Sequence, residues 1–371
     1  MPEPEPPSQP GASASEATRP KRRPRYRGTH PRRFAEKYKE LNPEKYPDTV
    51  QKVLAAGKTP AGTHRPILLP EILELLAPTP GAIAVDATLG HGGHALEILR
   101  RLQPGGRLFA LDVDSLELPR TEARLRAEGF PAESLTVCQT NFAGLPKVLA
   151  AHGVSGVDLV LADLGCSSMQ LDNPGRGFSF KLDGPLDLRM NPRKGRPASA
   201  LLAALEEAEL AGLLTGNADE PHAALIARGL AQARQRAPIT TTRALAQAVR
   251  AALASLPAQV RQTEGDTPVR RVFQALRIAV NEEFTALEMF LRYLPDCLNP
   301  GGRAAILTFH SGEDRRVKKS FQAGQRAGIY ARVAEEVIRP GAEEVRANPR
   351  ASSAKLRWAV RSDAAPDENQ V

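Results

Sequence analysis

The residues best suited to chemistry lie in short runs, each following an apolar stretch. The first is Asp86-Ala-Thr-Leu-Gly-His-Gly-Gly-His94. Glycines at such a place let a backbone approach a ligand closely at a helix N-terminus. The spacing is neither the GxGxxG of dinucleotide folds nor the GK[ST] of a P-loop. An acid ahead of the glycines suits a ligand bearing an ammonium group better than a pyrophosphate. A tight strand-to-helix turn would use the same glycines without any ligand. His91 and His94 have no third or fourth ligand near them in sequence, so no metal is expected. About 20 residues further on, Asp112 and Asp114 end a second apolar stretch, the place where nucleoside-binding sheets put the acid that holds ribose hydroxyls. A solvated strand end is the plain alternative.

The run from Asp163 to Pro192, DLGCSSMQLDNPGRGFSFKLDGPLDLRMNP, is the most unusual. It abandons regular periodicity for Gly, Pro, Ser, Asp and Arg, yet carries Leu171, Phe178, Phe180, Leu186, Leu188 and Met190. Disordered segments lack apolar residues at that density. An ordered loop is expected, packed by its apolar side chains at a strand's carboxyl end, where open α/β folds bind ligands. Asp163, Ser167, Ser168 and Gln170 open it. Arg176, Asp183, Asp187 and Arg189 follow, as substrate contacts or as salt bridges within the loop.

Two further runs lie near the end of the chain. In Phe309-His-Ser-Gly-Glu-Asp-Arg315, His310 and Arg315 are placed to meet a substrate, while Ser311 and Asp314 have the spacing of a helix cap. In Asn348-Pro-Arg-Ala-Ser-Ser-Ala-Lys-Leu-Arg357, the cations Arg350, Lys355 and Arg357 suit phosphate, or a charged edge strand.

The elements that position these runs alternate. Strands are expected at Ala82–Leu89, Arg107–Asp114, Ser134–Asn141, Val157–Leu164 and, after the turn Asn299-Pro-Gly-Gly302, Arg303–His310. Helices lie between them, and Ala331–Arg339 with Lys355–Arg361 could close the sheet as an antiparallel hairpin. The pattern implies an α/β fold with a mostly parallel sheet covered on both faces. About 140 residues separate the fourth and fifth strands, more than a single crossover helix needs. Ala198–Leu214, Ala223–Gln235 and Arg243–Leu256 have helical patterns punctuated by Pro238, Pro257 and Pro268. A helical insertion over 173–270 follows, with a helix Val272–Leu294 returning the chain to the sheet. The folded body begins near His64, and Pro70 opens a helix.

Bulk composition narrows the partners. The chain has 371 residues and a formal charge of +8. Residues 1–60 hold 13 Lys and Arg against 7 Asp and Glu, which accounts for +6 of it. A basic arm on a near-neutral body fits an anionic partner, most simply nucleic acid, and a solubilising disordered tail has the same composition. Cys138, Cys166 and Cys297 form no CxxC pair, so neither a disulfide framework nor a zinc ribbon is indicated. With no membrane-spanning stretch and no secretory core, a cytoplasmic protein is expected.

Taken together, His64-Arg-Pro-Ile-Leu-Leu-Pro-Glu71, DATLGHGGH, the 163–192 run, FQALRIAVNEE from Phe273, FHSGEDRRVK and NPRASSAKLR resemble the bacterial 16S rRNA cytosine-N4 methyltransferases, the RsmH or MraW family. The likeness covers about His64 to Arg361. It implies a class I S-adenosylmethionine-dependent methyltransferase fold with an inserted helical domain, acting on a cytosine in the decoding centre of the small ribosomal subunit. The implied organisation is a basic, largely disordered arm (1–60), a methyltransferase domain (61–172 and 271–362), an inserted substrate-recognition domain (173–270) and a disordered tail (363–371). Carried across by motif, Gly92, Gly93 and His94 surround the methionine end of S-adenosylmethionine. Asp112 holds the ribose, Phe142 lies near the adenine, and Asp163 and Gln170 complete the pocket. Asp163 is also the candidate catalytic group. Arg176, Arg189, His310, Arg315, Arg350 and Lys355 are the candidate substrate contacts. The chain departs from the family at Ala95, at Gly312, in Leu111–Leu118 (LDVDSLEL) and most of all in Thr215–Arg228 (TGNADEPHAALIAR), where the family has an acidic GEER stretch. These departures leave the cofactor positions intact and fall on substrate surfaces. The alternatives are an enzyme of the same fold acting on another RNA or on DNA, and a non-catalytic ribosome-assembly protein. Monomer and homodimer are both compatible with the sequence.

Overall fold

The computed structural model describes residues 66–363; the basic arm and all but the first residue of the expected tail lie outside the described residues. Strands β1 (Ile83–Asp86), β2 (Arg107–Asp112), β3 (Leu135–Gln139), β4 (Val157–Asp163) and β5 (Leu298–Thr308) run parallel, while β7 (Lys355–Arg361) is antiparallel to β5 and to β6 (Tyr330–Val333). The order across the sheet is β3-β2-β1-β4-β5-β7-β6. This is the mostly parallel class I methyltransferase sheet. The expected closing hairpin is present as the antiparallel pair β6 and β7, with β7 between β5 and β6.

The helices are α1 (Leu69–Leu76), α2 (Gly93–Leu102), α3 (Leu118–Ala127), α4 (Leu145–Ala151), α5 (Ser168–Asp172), α6 (Ala198–Ala204), α7 (Glu207–Ala218), α8 (Ala223–Arg236), α9 (Thr242–Ala252), α10 (Ala258–Glu264), α11 (Thr267–Asn281), α12 (Glu283–Cys297), α13 (Ser311–Arg326) and α14 (Ala342–Ala347). The central strands are near-continuous apolar runs because both of their faces are covered. Val85, Phe109, Leu111 and Val160 pack under Leu287, Phe290 and Leu294 of α12 and under Phe321 of α13. Their alternate neighbours Ala84, Leu108, Ala110 and Leu161 pack under α1 and α2. This alternation is the two-residue period of a strand.

A third core is wholly helical, with Leu210, Leu214, Ile226, Leu230, Leu245, Val249, Val272 and Leu276 joined by Phe178, Leu186 and Leu188 of the long loop. The loop is therefore ordered by its apolar side chains, as its composition implied. Two boundaries differ from expectation. The expected helix Val272–Leu294 breaks at Glu282, whose φ is 51°, so α11 ends in the helical core and α12 turns onto the sheet. The turn Asn299-Pro-Gly-Gly302 lies inside β5 as a bulge: Leu298 pairs with Val157 and Arg303 with Leu159, while Asn299 Nδ2 donates to Asp158 at 2.8 Å.

Candidate functional site

The carboxyl ends of β1, β2 and β4 open into a crevice of about 940 Å³, roofed by the 163–192 loop and α11. Its floor is built from backbone held by acids. Gly90 N donates to Asp112 Oδ2 at 2.7 Å and Asp114 N to Asp112 Oδ1 at 2.8 Å. One carboxylate thus ties the glycine turn to the tip of β2, and each oxygen retains a lone pair. Gly92 has φ of +65°, and a Cβ there would stand 2.9 Å from Thr121 Cγ2. Only glycine lets α2 begin this close to α3 while its first amides face the crevice.

Asp163 closes β4. Its backbone N–H donates to Thr88 Oγ1 at 2.6 Å, and its Oδ2 lies 3.7 Å from His94 Nδ1. His94 Nε2 is 3.0 Å from the Ile67 carbonyl. A carbonyl only accepts, so Nε2 carries a proton and Nδ1 is the nitrogen turned toward Asp163. Although 30% of its side chain is open to the cavity, Asp163 sits deep enough that burial, reinforced by the Glu313 charge, pushes its carboxyl up to about 7. Asp86 also rises to about 7; burial dominates, and the charges of Asp163 and Asp112 add to it against the opposing pull of His94 and the Thr88 amide. Burial raises Asp112 too and lowers His94. At the far wall Phe142 stacks edge-on against Phe290 with centroids 5.4 Å apart, giving a flat apolar surface beside β3.

These features fit S-adenosylmethionine. The acidic floor matches a ligand with sulfonium and ammonium charges, Asp112 faces a polyol, and Phe142 offers an aromatic face. Of the expected cofactor residues, Gly92, Gly93, His94, Asp112, Phe142, Asp163 and Gln170 all line the crevice. Gln170 does so with its side chain already committed. Its Oε1 accepts from Ser167 N at 2.8 Å, closing a capping box on α5, and its Nε2 donates to Asp114 Oδ2 at 2.8 Å.

The expected substrate contacts divide. Arg189 and Arg350 line the crevice, the first forked on Asp187 and the second donating through Nη2 to Asp172 Oδ1 at 2.6 Å. Arg176 is corrected: only 6% exposed, it pairs with Asp114 at 2.8 Å and donates to the carbonyls of Arg189 and Met190. It pins the loop and is out of a substrate's reach. Arg315 pairs with Asp219 on the exposed side of α13, and Lys355 with Asp314, neither of them lining the crevice. His310 is corrected as well. It caps α13 by accepting from Glu313 N, while Glu313 Oε2 accepts from Phe309 N. The expected Ser311–Asp314 cap is displaced by one residue, because Asp314 is held by Arg357 at 2.6 Å and by Lys355. Gly312 has a packing reason: a Cβ there would strike Phe284 Cζ at 2.6 Å.

Sequence reasoning overlooked the roof. Asn281 accepts from Met190 N at 2.7 Å and donates to the Leu188 carbonyl at 2.8 Å, fixing the loop where Leu188 takes a φ of 63°. Arg277 forks Glu283 at 2.8 and 2.9 Å and donates to Cys166 Sγ. The signal was present in the polar stripe Arg270, Gln274, Arg277 and Asn281, which repeats at helical spacing along α11. Glu283, His310 and Glu313 bring ligating atoms within 4.8 Å of one another. Arg277 already neutralises Glu283, and His310 faces Glu313 at 3.2 Å, so the cluster reads as a closed charge network.

Comparison with known proteins gives a consistent picture. The MraW methylase family matches residues 61–362. The chain is 53% identical to "Ribosomal RNA small subunit methyltransferase H 2" of Alkaliphilus metalliredigens, over 92% of this chain and 97% of the relative. It is 51% identical to "Ribosomal RNA small subunit methyltransferase H 1" of Lachnoclostridium phytofermentans, over 92% and 93%, and 43% identical to the corresponding protein of Halorhodospira halophila, over 83% and 97%.

Proposed function

The chain belongs to the MraW methylase family, and from that premise we propose that it transfers a methyl group from S-adenosylmethionine to N4 of a cytosine in the decoding centre of 16S rRNA, in the cytoplasm. The observation that carries the reading is a single crevice in which an acid placed to hold a ribose, Asp112, and a proton acceptor of raised affinity, Asp163, stand on the strand ends to either side of β1. Gly92 and Gly93 would hold the methionine end of the cofactor, Phe142 the adenine side, and Gln170 the loop that covers it. The helical layer of residues 173–270, extended by α11, would be the substrate-recognition domain.

When bound, the cofactor supplies an electrophilic methyl on a positively charged sulfur. Cytosine N4 is a weak nucleophile because its lone pair is delocalised into the ring. The protein's contribution is then mainly positioning. Asp163, or a main-chain carbonyl of the loop after it, accepts the amine protons and turns the nitrogen lone pair toward the methyl. N4 gains the carbon and sheds one proton, for which a carboxylate matched to neutral pH is an effective acceptor. The base must leave its stack to reach this depth.

The raised carboxyls set a pH dependence. In the unfolded chain Asp86 and Asp163 ionise near 3.8, and in the folded protein near 7. The protons they retain stabilise the ligand-free fold fully below the lower value, and that stability is lost as pH rises through the upper one. A cationic ligand prefers the ionised acids, so its binding below pH 7 releases protons and its affinity rises between about pH 5.5 and 8. Calorimetry in buffers of different ionisation enthalpy reads this directly; an affinity flat across the range, with no proton release, would contradict it.

Pro66 and Ile67 line the crevice, and the 13 cations of residues 1–60 precede them in the chain. Deleting residues 1–58 is expected to weaken RNA binding and flatten its salt dependence while leaving cofactor affinity unchanged. An unchanged salt slope would return the arm to a passive tail. The acceptor itself is tested by uptake of labelled methyl into undermethylated small subunits, naked 16S rRNA and duplex DNA. Incorporation into the small subunit or its RNA supports the proposal. Incorporation into DNA alone, or none with cofactor still bound, removes it.

A further inference from the structure

The Lys and Arg side chains lining the crevice are Arg189, Lys194, Arg270, Arg277 and Arg350. Arg189, Arg277 and Arg350 are each neutralised by a carboxylate at 2.9 Å or less, from Asp187, Glu283 and Asp172 in turn. Lys194 and Arg270 are exposed, and no carboxylate among the described residues lies within ion-pair range of either. They come from different elements, Lys194 from the end of the long loop and Arg270 from the first turn of α11.

The axis of α11 orders the crevice from floor to lip. Asn281 holds the loop backbone and Arg277 meets Cys166 just beyond β4. Arg270 is seven residues nearer the helix start, about 10 Å further out at 1.5 Å per residue. Gln274 lies between them with its amide nitrogen on the Asn217 carbonyl. The floor is acidic, lined by Asp112 and Asp163 with Asp86 buried beside them, and suits a cationic cofactor. The unpaired positive charge stands at the lip, where a polyanion carrying the target base would pass.

We propose that Lys194 and Arg270 form a phosphate clasp, gripping the backbone of the RNA strand on either side of the nucleotide drawn into the crevice. The clasp rests on the RNA-methyltransferase reading above and adds to it the residues that set how the strand enters. Phosphate contacts of this kind position without reading sequence. An unpaired exposed cation holds a phosphate at little desolvation cost, whereas Arg189, Arg277 and Arg350 would first have to leave a carboxylate.

The test is the full-length protein carrying Lys194→Gln, Arg270→Gln or both. A control, Lys318→Gln with Lys319→Gln, removes the same charge from α13, away from the crevice. Binding of a fluorescent single-stranded 16S fragment is followed by anisotropy from 0.1 to 1 M salt, and S-adenosylmethionine affinity by calorimetry. Each cation lost from a single-strand contact should reduce the slope of log affinity against log salt by about 0.7, or about 1.4 for the pair; the deficit then grows roughly 25-fold between 1 M and 0.1 M salt. The control should keep the wild-type slope, and cofactor affinity should change less than about twofold in every variant. Slopes equal to wild type, or flattened equally by the control, would overturn the clasp. So would a loss of cofactor affinity in step with RNA affinity, since the side chains would then serve the cofactor's carboxylate. The binding assay needs no turnover: flattened slopes in a protein that methylates no ribosomal RNA would sustain the clasp and remove the substrate assignment instead.

Discussion

Replacing Asp163 with alanine is expected to lower the methyl-transfer rate by at least about 100-fold, the lower end of what a positioned proton acceptor contributes. The fold should survive. The strand is held through the Asp163 backbone amide on Thr88, which alanine retains, and the carboxyl's near neighbour is His94 at 3.7 Å, beyond hydrogen-bond length. The substitution Asp163→Asn separates two roles that alanine merges. An amide keeps the oxygen that orients the amine but cannot take its proton, so this variant should recover cofactor binding without recovering turnover. Single-turnover rates with saturating cofactor check both variants. Near-normal turnover by Asp163→Ala would remove Asp163 from the chemistry and leave the main-chain carbonyls of the following loop as the acceptors.

The largest structural effect is expected at Arg176. Its guanidinium and the Asp114 carboxylate are both almost fully buried, 7% and 3% exposed as side chains. Removing one partner of a buried pair strands the other charge, at a cost of about 3–5 kcal/mol. Asp114 keeps Gln170 and the amides of Leu116 and Glu117 as neutral donors, which places Arg176→Ala toward the lower end. The loss should reach function as well, because Arg176 also holds the carbonyls of Arg189 and Met190. Urea unfolding followed through Trp358, the single tryptophan, reads the stability. A midpoint close to wild type at unchanged m-value would mean that the pair contributes nothing net.

Much of this architecture was legible from the sequence, for identifiable reasons. β1, β2 and β4 are short apolar runs ended by Asp86, Asp112 and Asp163 and followed by turn residues, and a parallel strand buried on both faces has no other signature. The long loop was legible because Phe178, Leu186 and Leu188 have no use in a disordered chain. The cofactor positions came from resemblance of motif, and the crevice brings them together. The rest depended on partners far away in the chain. Nothing around Arg176 shows that its carboxylate lies 62 residues earlier. Ser311 is the better N-cap by residue type, yet the helix starts one residue sooner because Arg357 and Lys355 claim Asp314. No Gly or Pro stands near Glu282, and Asn281 alone is a weak stop signal, so the break between α11 and α12 was missed. Two short terminal strands do not reveal that the last inserts beside β5.

The chemical identity of the product tests the central claim most directly. 16S rRNA methylated by the purified protein with labelled S-adenosylmethionine is digested to nucleosides, and the labelled species is identified by chromatography and mass spectrometry. The account predicts N4-methylcytidine from a single site in the decoding centre, lost in Asp163→Ala. Label on cytosine C5, on a ribose 2′-oxygen or on another base would contradict it, because the methyl would then have gone to an atom other than the cytosine N4 that Asp163 is assigned to orient and deprotonate.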